Sequence, residues 1–249
     1  MQYVEILRAR RALLWFTGIL LGLVIAALVS VYAGSHGDIH NSGDVPFEDL
    51  VGACAFGAWI VATIVVRGLS ADAAHATAIV WTRPMSRDRI AWRYIAVDAI
   101  AIALGYVIVI DVAILAIAAL GGINVLTIDG AAALAFALGL GTAFMWYALA
   151  LLASARFPGR GGAIAGTSWG VFVVLATLWA VPMPPVLHAV LTVLNYVNPM
   201  AWLGDFSATS HHVSRHVIEF PMLARALGSW AIAIVAAAAA VRLWATREV

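Results

Sequence analysis

The sequence predicts an all-α, polytopic integral membrane protein with six transmembrane helices, on the evidence of its composition and of the length of its apolar runs. Of its 249 residues, 64% are hydrophobic and 11% are charged, whereas a soluble domain is about half apolar and about a quarter charged. The mean hydropathy is +0.98. The apolar runs are close to the roughly 20 residues that cross the hydrocarbon core of a bilayer. We therefore expect a single transmembrane domain over residues 1–249.

Six apolar runs predict the spans, and the first of them has a competing interpretation as a signal peptide. The apolar core of a secretory signal peptide usually has about 7–15 residues. The first run is longer, so it is predicted to be a retained span. Before it, residues 1–11 are predicted to form an amphipathic helix that lies on the membrane surface. The predicted spans are residues 12–33, 50–66, 90–120, 131–153, 162–181 and 222–244.

The distribution of arginine predicts the orientation of these spans. Cytoplasmic loops carry an excess of basic residues, and most arginines fall near the two chain ends or in the loops after the second and fourth spans. Both termini are therefore expected in the cytoplasm, with the protein in a bacterial-type inner (plasma) membrane. The arginines on this side are Arg8, Arg10, Arg11, Arg67, Arg83, Arg87, Arg89, Arg93, Arg156, Arg160, Arg242 and Arg247.

Residue counts exclude several classes of function. All 14 basic residues are arginine, so the sequence lacks the lysine of the phosphate-binding loop of nucleotide motors. The single cysteine, Cys54, makes neither an internal disulfide nor a cysteine-based zinc site. The net charge of +1 gives no indication of nucleic acid as a partner. We expect no cofactor on this chain.

The loop between the second and third spans carries the most specific motif. Leu69-Ser70-Ala71-Asp72 opens it, with Ser70 as the predicted N-cap of a short helix. Helix-forming residues follow, and Arg83-Pro84-Met85-Ser86-Arg87 ends the helix with a proline. The pattern predicts a cytoplasmic helix over residues 70–82, parallel to the membrane, and a further helix that starts near Ser86.

This loop resembles that of the ABC-2 family of ABC transporter permeases, in which a helical loop after the second span ends in a Pro-Val-Ser-Arg-like sequence. The resemblance implies that the loop helix is a coupling helix, seated in a cleft of a separate ATPase subunit that binds ATP and Mg. It also implies a second permease chain, identical or different. The residues assigned to ATPase coupling are Asp72, His75, Thr77, Arg83, Pro84, Ser86 and Arg87. The alternative is an ordinary basic loop whose arginines touch lipid headgroups.

Two aspartates lie within the third predicted span, where an ionisable group is costly and often functional. Asp98 and Asp111 are 13 residues apart, so at about 100° per residue they point to different sides of the helix. Asp98, near the cytoplasmic end, is expected to form a structural ion pair with Arg93 or another arginine. Asp111 either lines a passage, holds a cation or titrates, or it pins two helices together through hydrogen bonds.

Glycines recur every four residues along the fifth predicted span, at Gly162, Gly166 and Gly170. Such a row forms a groove on one helix face and lets another backbone approach closely. The groove serves either a contact with a second protomer or a gate, or packing within one subunit. In the family that the chain resembles, the first and fifth spans tend to meet at the dimer axis.

Residues 182–221 are predicted to form an external re-entrant segment with short helices in the outer leaflet, a plain external loop being the alternative. Trp202 and Phe206 are expected at the headgroup level, which aromatic side chains favour. His212 and His216 are four residues apart, a spacing that binds zinc or copper on a helix. A solvated loop or a pH-sensitive dimer contact is the preferred interpretation of these histidines, so no metal is assigned.

The leading functional hypothesis is the permease subunit of an ATP-driven ABC exporter. It is not itself an enzyme, and its expected partners are the ATPase subunit, a second permease chain and membrane lipid. Its cargo would be amphipathic or hydrophobic, such as a lipid, a peptide, an antibiotic or another small molecule. The alternative is a proton- or cation-coupled secondary carrier that uses Asp111. An intramembrane enzyme is disfavoured because the spans contain no paired catalytic constellation.

Overall fold

The computed structural model describes residues 2–34, 45–71, 86–120, 126–127, 131–157, 160–179, 181–203, 218 and 220–246. Within these ranges the chain is almost entirely helical, so the predicted all-α class is confirmed. The helices are α1 (Gln2–Gly34), α2 (Phe47–Ala71), α3 (Arg87–Leu120), α4 (Ala131–Arg156), α5 (Gly161–Trp179), α6 (Pro185–Asn195), α7 (Pro199–Leu203) and α8 (Met222–Ala245). Two two-residue strands, β1 (Val45–Pro46) and β2 (Leu126–Thr127), pair in parallel.

Four helices of the described ranges are long and apolar enough to cross a membrane. These are α3, α4, α5 and α8, and they correspond to the third, fourth, fifth and sixth predicted spans. The apolar part of α2, Leu50–Val66, is shorter. The first predicted span lies within α1. The protein is therefore a membrane protein by the length and composition of its helices, and the full set of six spans stays a prediction.

Two helix boundaries differ from the sequence-based expectation. The helix α1 is continuous from Gln2 to Gly34, so the predicted surface helix over residues 1–11 is not separated from the first span. The helix α2 continues through Ser70 to Ala71, so Ser70 lies inside it and does not cap a new helix. Helix formers such as Leu69 and Ala71 favour this continuation over a break.

The helix α4 lies at the centre of the fold. Of its apolar stretch 67% is buried within the chain, against 11% in α5. Its Trp146 and Tyr147 are buried together with Trp59 of α2 and Tyr106 of α3. The helices α2, α3, α5, α7 and α8 pack against α4, whereas α1 packs on α2 and α3. The helix α5 lies at the edge, with most of its surface directed away from the chain.

Close helix contacts at α4 depend on the small size of glycine. A Cβ on Gly139 would overlap the hydroxyl of Tyr106, which comes from α3. That hydroxyl donates a hydrogen bond to the backbone oxygen of Val51 over 2.7 Å, and the Tyr106 ring stacks on Phe136 with centroids 4.9 Å apart. Gly139 therefore permits the contact by which Tyr106 joins α3 to α2 and α4.

Candidate functional site

The predicted coupling segment falls mostly outside the described residues. Asp72, His75, Thr77, Arg83 and Pro84 all lie there. Ser86 is exposed, and its carbonyl accepts a hydrogen bond from the amide of Ile90 over 3.3 Å. The predicted helix start near Ser86 is therefore confirmed, with Arg87 as the first residue of α3.

Asp98 is buried between α3 and α4. Its side chain has no exposed surface, and it accepts a hydrogen bond from the hydroxyl of Tyr147 over 2.8 Å. Arg93, the predicted ion-pair partner, is exposed and lies five residues earlier on α3. The hydrogen bond joins two long apolar helices through the ionisable Asp98 carboxyl. It also gives this carboxyl a partner, without which its burial would be costly.

Asp111 has different surroundings. It is exposed, whereas Asp98 on the same helix is fully buried. Arg93 and Asp111 are 18 residues apart, which is about 27 Å along an α-helix. The hydrocarbon core is about 30 Å thick. If Arg93 lies at one boundary of the bilayer, Asp111 therefore lies close to the opposite boundary.

Three tryptophans from three helices meet beside α4. The ring of Trp169 on α5 lies 5.6 Å from that of Trp59 on α2 and 6.3 Å from that of Trp146 on α4. The indole nitrogen of Trp169 donates to the hydroxyl of Thr63 over 2.9 Å. In the described part of the chain the buried indole nitrogen of Trp146 has no acceptor. The cluster holds α5 against the core through one face only.

The segment after α5 folds back along that helix. The indole nitrogen of Trp179, the last residue of α5, donates to the Thr192 hydroxyl over 3.0 Å. The Asn195 amide donates to the Leu175 carbonyl over 3.2 Å. Farther along, the Asn198 amide donates to the Phe172 carbonyl over 3.0 Å. As the chain advances from residue 192 to residue 198, its partners move backwards along α5.

This geometry defines a helical hairpin formed by α5 and α6. The partners on α5 span seven residues, which is about 10 Å along the helix. Asn195 and Asn198 are both fully buried, and the Asn198 amide also donates to the Asn195 side-chain oxygen over 2.8 Å. Two buried amides thus satisfy each other and hold the hairpin closed.

The opposite face of α6 is apolar and exposed. Val186, Val190 and Val193 have exposed fractions of 75%, 51% and 66%. They recur at helical spacing, so they form one row on the side away from α5. A short helix with an unburied apolar row and a polar, hydrogen-bonded inner face is suited to a lipid environment.

The short helix α7 closes the hairpin against α8. Trp202, whose position at the headgroup level stays a prediction, is only 5% exposed. Its ring packs where a Cβ on Gly228 would otherwise lie, and its indole nitrogen donates to the Tyr196 carbonyl over 2.9 Å. The burial results from contacts with α8 and with Met145 of α4, which the local sequence does not reveal.

Arg225 of α8 anchors the C-terminal end of α7. The side chain is 8% exposed, and one terminal nitrogen donates to the carbonyls of Leu203, over 2.6 Å, and Trp202, over 3.4 Å. Helix C-termini favour cations because their last carbonyls lack backbone partners. The sequence showed Arg225 only as an arginine at the edge of a span.

The remaining predicted residues of the external segment lie outside the described ranges. These are Phe206, His212 and His216. Among the residues that the structure does describe, no three histidine, cysteine, aspartate or glutamate side chains come together as a metal site.

The glycine row of α5 is open. Gly162, Gly166 and Gly170 are all exposed. Within the described part of the chain, no atom outside the helix lies within 4 Å of a Cβ built on Gly166 or Gly170. The same holds for Gly18 and Gly22 of α1. The groove therefore receives no partner from the described residues of its own chain.

The fold and these contacts define a helical membrane protein with a helical hairpin before its last long helix. Comparison with protein-family models, with curated proteins and with solved structures finds no match for the chain.

Proposed function

We propose that the chain is the permease subunit of an ATP-driven ABC exporter, and the observation that carries the proposal is the hairpin of α5 and α6. The ABC-2 permeases that the sequence resembles have short helices in the outer leaflet between the fifth and sixth spans. The helices α6 and α7 lie between the fifth and sixth predicted spans. Hydrogen bonds from residues 192–198 hold this segment back along α5.

The loop motif supports the same proposal from the other side of the membrane. The motif lies between α2 and α3, which are 25 and 34 residues long. A force applied between two such rods would tilt both, as a lever requires. Since the 249 residues include no lysine, ATP and Mg are assigned to a separate ATPase subunit.

A second permease chain is part of the proposal. The helix α5 is only 11% buried over its apolar stretch, and its glycine row is open. Small residues permit close helix association in a membrane, where apolar side chains alone provide little driving force. These features support a dimer in which α5 contacts the partner.

The proposed cargo is amphipathic or hydrophobic. Side chains in the core of the bundle are mainly alanine, tryptophan, tyrosine and branched aliphatic residues. Removing a strongly hydrated sugar or multivalent ion from water needs many polar partners, and few polar side chains are buried in the described ranges. A lipid, a peptide, an antibiotic or a related small molecule fits such an interior better.

Affinity purification tests the ATPase partner. The tagged chain is solubilised from its native membrane, and the co-purified proteins are identified. We expect an ATPase with a phosphate-binding loop. Asp72→Arg and Arg87→Glu should each reduce its recovery at least fivefold while the chain remains in the membrane. Arg242→Glu is the matched control, because Arg242 is exposed and lies at the far end of α8.

A labelling experiment tests the orientation independently. Cys54 is buried and is the only cysteine, so Cys54→Ser provides a silent background. In that background, His75→Cys should resist a membrane-impermeant maleimide in intact cells and react after the cells are opened. Reaction in intact cells, or cargo transport by the purified chain alone, would contradict the proposal.

A further inference from the structure

An apolar groove runs along the outer surface of α1 where it meets α2. Its volume is about 480 Å³, which is within the usual range of small-ligand pockets. On α1 it is lined by Arg11, Trp15, Ile19 and Leu23, and on α2 by Ile60 and Ile64. It is separate from the hairpin, from the loop motif and from the glycine row of α5.

The dimensions of the groove match one leaflet of a bilayer. Four of the lining residues on α1, Arg11, Trp15, Ile19 and Leu23, recur every four positions, so they form one continuous stripe. From Arg11 to Leu23 the stripe extends for 12 residues, or about 18 Å. One leaflet of the hydrocarbon core is roughly 15 Å thick. An acyl chain entering at Arg11 would therefore be covered over most of its length.

The chemistry of the lining distinguishes the two ends. Among the described residues that line the groove, Arg11 is the one charged side chain, and the others are apolar or aromatic. Trp15, one turn further along α1, is 66% exposed. Leu23 is 65% exposed and Ile19 is 60% exposed. A guanidinium binds phosphate through paired, charge-assisted hydrogen bonds, and tryptophan favours the headgroup boundary.

The geometry points to an anionic phospholipid as the occupant of this groove, with its phosphate at Arg11 and one acyl chain along the α1 stripe. In the orientation set by the arginines, Arg11 faces the cytoplasmic leaflet, which carries the anionic lipids. The lipid is a bound partner of α1 and not the exported cargo. The inference depends on the membrane orientation and is independent of the ATPase.

Native mass spectrometry of the detergent-solubilised chain tests this inference. Phosphatidylglycerol and phosphatidylcholine with identical acyl chains are added separately, and the lipid-bound fraction is measured. We expect phosphatidylglycerol to bind about tenfold more tightly than phosphatidylcholine, a difference that corresponds to the free energy of one charge-assisted hydrogen bond. Arg11→Gln should abolish this preference. Arg10→Gln is the matched control, because Arg10 is an adjacent exposed arginine that does not line the groove.

A second variant tests the acyl chain. Ile64→Trp should fill the groove and reduce the binding of both lipids, while the helical content measured by circular dichroism stays unchanged. Equal binding of the two lipids by the unmodified chain, or equal effects of Arg10→Gln and Arg11→Gln, would overturn the inference. So would a monomer–dimer equilibrium that Arg11→Gln shifts with no change in bound lipid, because the occupant would then be a second copy.

Discussion

The hydroxyl of Tyr147 donates a hydrogen bond to the carboxylate of Asp98 over 2.8 Å, and neither side chain is more than 1% exposed. The two residues are 49 positions apart, so the contact fixes α3 against the central helix α4. Buried hydrogen bonds to charge-capable groups are the ones whose loss is most costly. This pair is therefore expected to contribute to stability whatever cargo the protein handles.

Tyr147→Phe should destabilise the folded chain by about 1–3 kcal/mol, because it leaves the buried Asp98 carboxylate without this donor. For a chain of this size each kcal/mol corresponds to a decrease in Tm of about 2–4 °C. Thermal unfolding of the detergent-solubilised protein measures it. Tyr196→Phe is the control and should leave Tm unchanged, since Tyr196 is 39% exposed.

Asn198→Leu should open the hairpin of α5 and α6. The Asn198 amide donates to the carbonyl of Phe172 and to the side chain of Asn195, and leucine removes both contacts. On the Cys54→Ser background, a cysteine introduced by Leu191→Cys, which leaves the Trp179–Thr192 hydrogen bond in place, should then react with maleimide at least fivefold faster. Thr177→Ala is the matched control, because the Thr177 hydroxyl is exposed and bonds only within α5. An unchanged labelling rate would show that these amides do not hold the hairpin.

The long helices follow from the local sequence. The predicted spans 131–153 and 222–244 correspond to α4, Ala131–Arg156, and α8, Met222–Ala245. The boundaries agree within three residues because the length of an apolar run and the polar residues that flank it are local properties. The predicted N-cap at Ser70 was wrong, because α2 continues to Ala71 and a serine caps a helix only when the preceding residues leave the helical conformation.

The contacts between helices did not follow from the sequence. Nothing near Asp98 identifies Tyr147 as its partner, and nothing near Trp202 indicates that Gly228 provides space for its ring. These contacts depend on how distant helices are arranged. The pair Asn195 and Asn198 carried a local signal that was missed: two amides three residues apart in an otherwise apolar segment imply buried hydrogen bonds.

Substitutions at two glycines should distinguish a position on the proposed dimer surface from a position in the core of the chain. Gly166→Ala leaves an open surface, and alanine favours a helix by about 0.5–1 kcal/mol over glycine. Gly139→Ala places a Cβ on the Tyr106 hydroxyl, and such overpacking typically costs about 1–3 kcal/mol. Thermal unfolding should therefore show a lower Tm for Gly139→Ala and no decrease for Gly166→Ala.

A larger side chain at the same open position tests the proposed protomer contact. Gly166→Leu should leave Tm within about 2 °C of the unmodified chain, because a substitution at an exposed site changes the free energy of unfolding by about 1 kcal/mol or less. It should nevertheless reduce the dimer fraction measured by light scattering at least threefold. Val174→Leu is the control, because Val174 is 52% exposed on the same helix and already branched. A dimer fraction unaffected by Gly166→Leu would place the protomer contact elsewhere.

Asp111→Asn distinguishes the exporter from the secondary carrier. A carrier that titrates Asp111 loses coupled transport when the carboxylate becomes an amide, so its rate should decrease at least a hundredfold. In the proposed exporter ATP supplies the energy, and Asp111 is an exposed residue about 27 Å along α3 from Arg93. Transport should then stay within about twofold, because little changes when an exposed side chain away from special contacts is replaced.

The measurement uses proteoliposomes that contain the chain with its ATPase, supplied with ATP and, separately, with an imposed proton gradient. If the chain is an exporter subunit, cargo uptake into the proteoliposomes should require ATP and should not depend on the proton gradient. This should hold for both the unmodified chain and Asp111→Asn. Val107→Asn provides the matched control for placing an amide on the same helix, since Val107 is 42% exposed and lies one turn earlier. Transport driven by the gradient alone and lost only in Asp111→Asn would favour the carrier, because a change in helix packing would affect both variants equally.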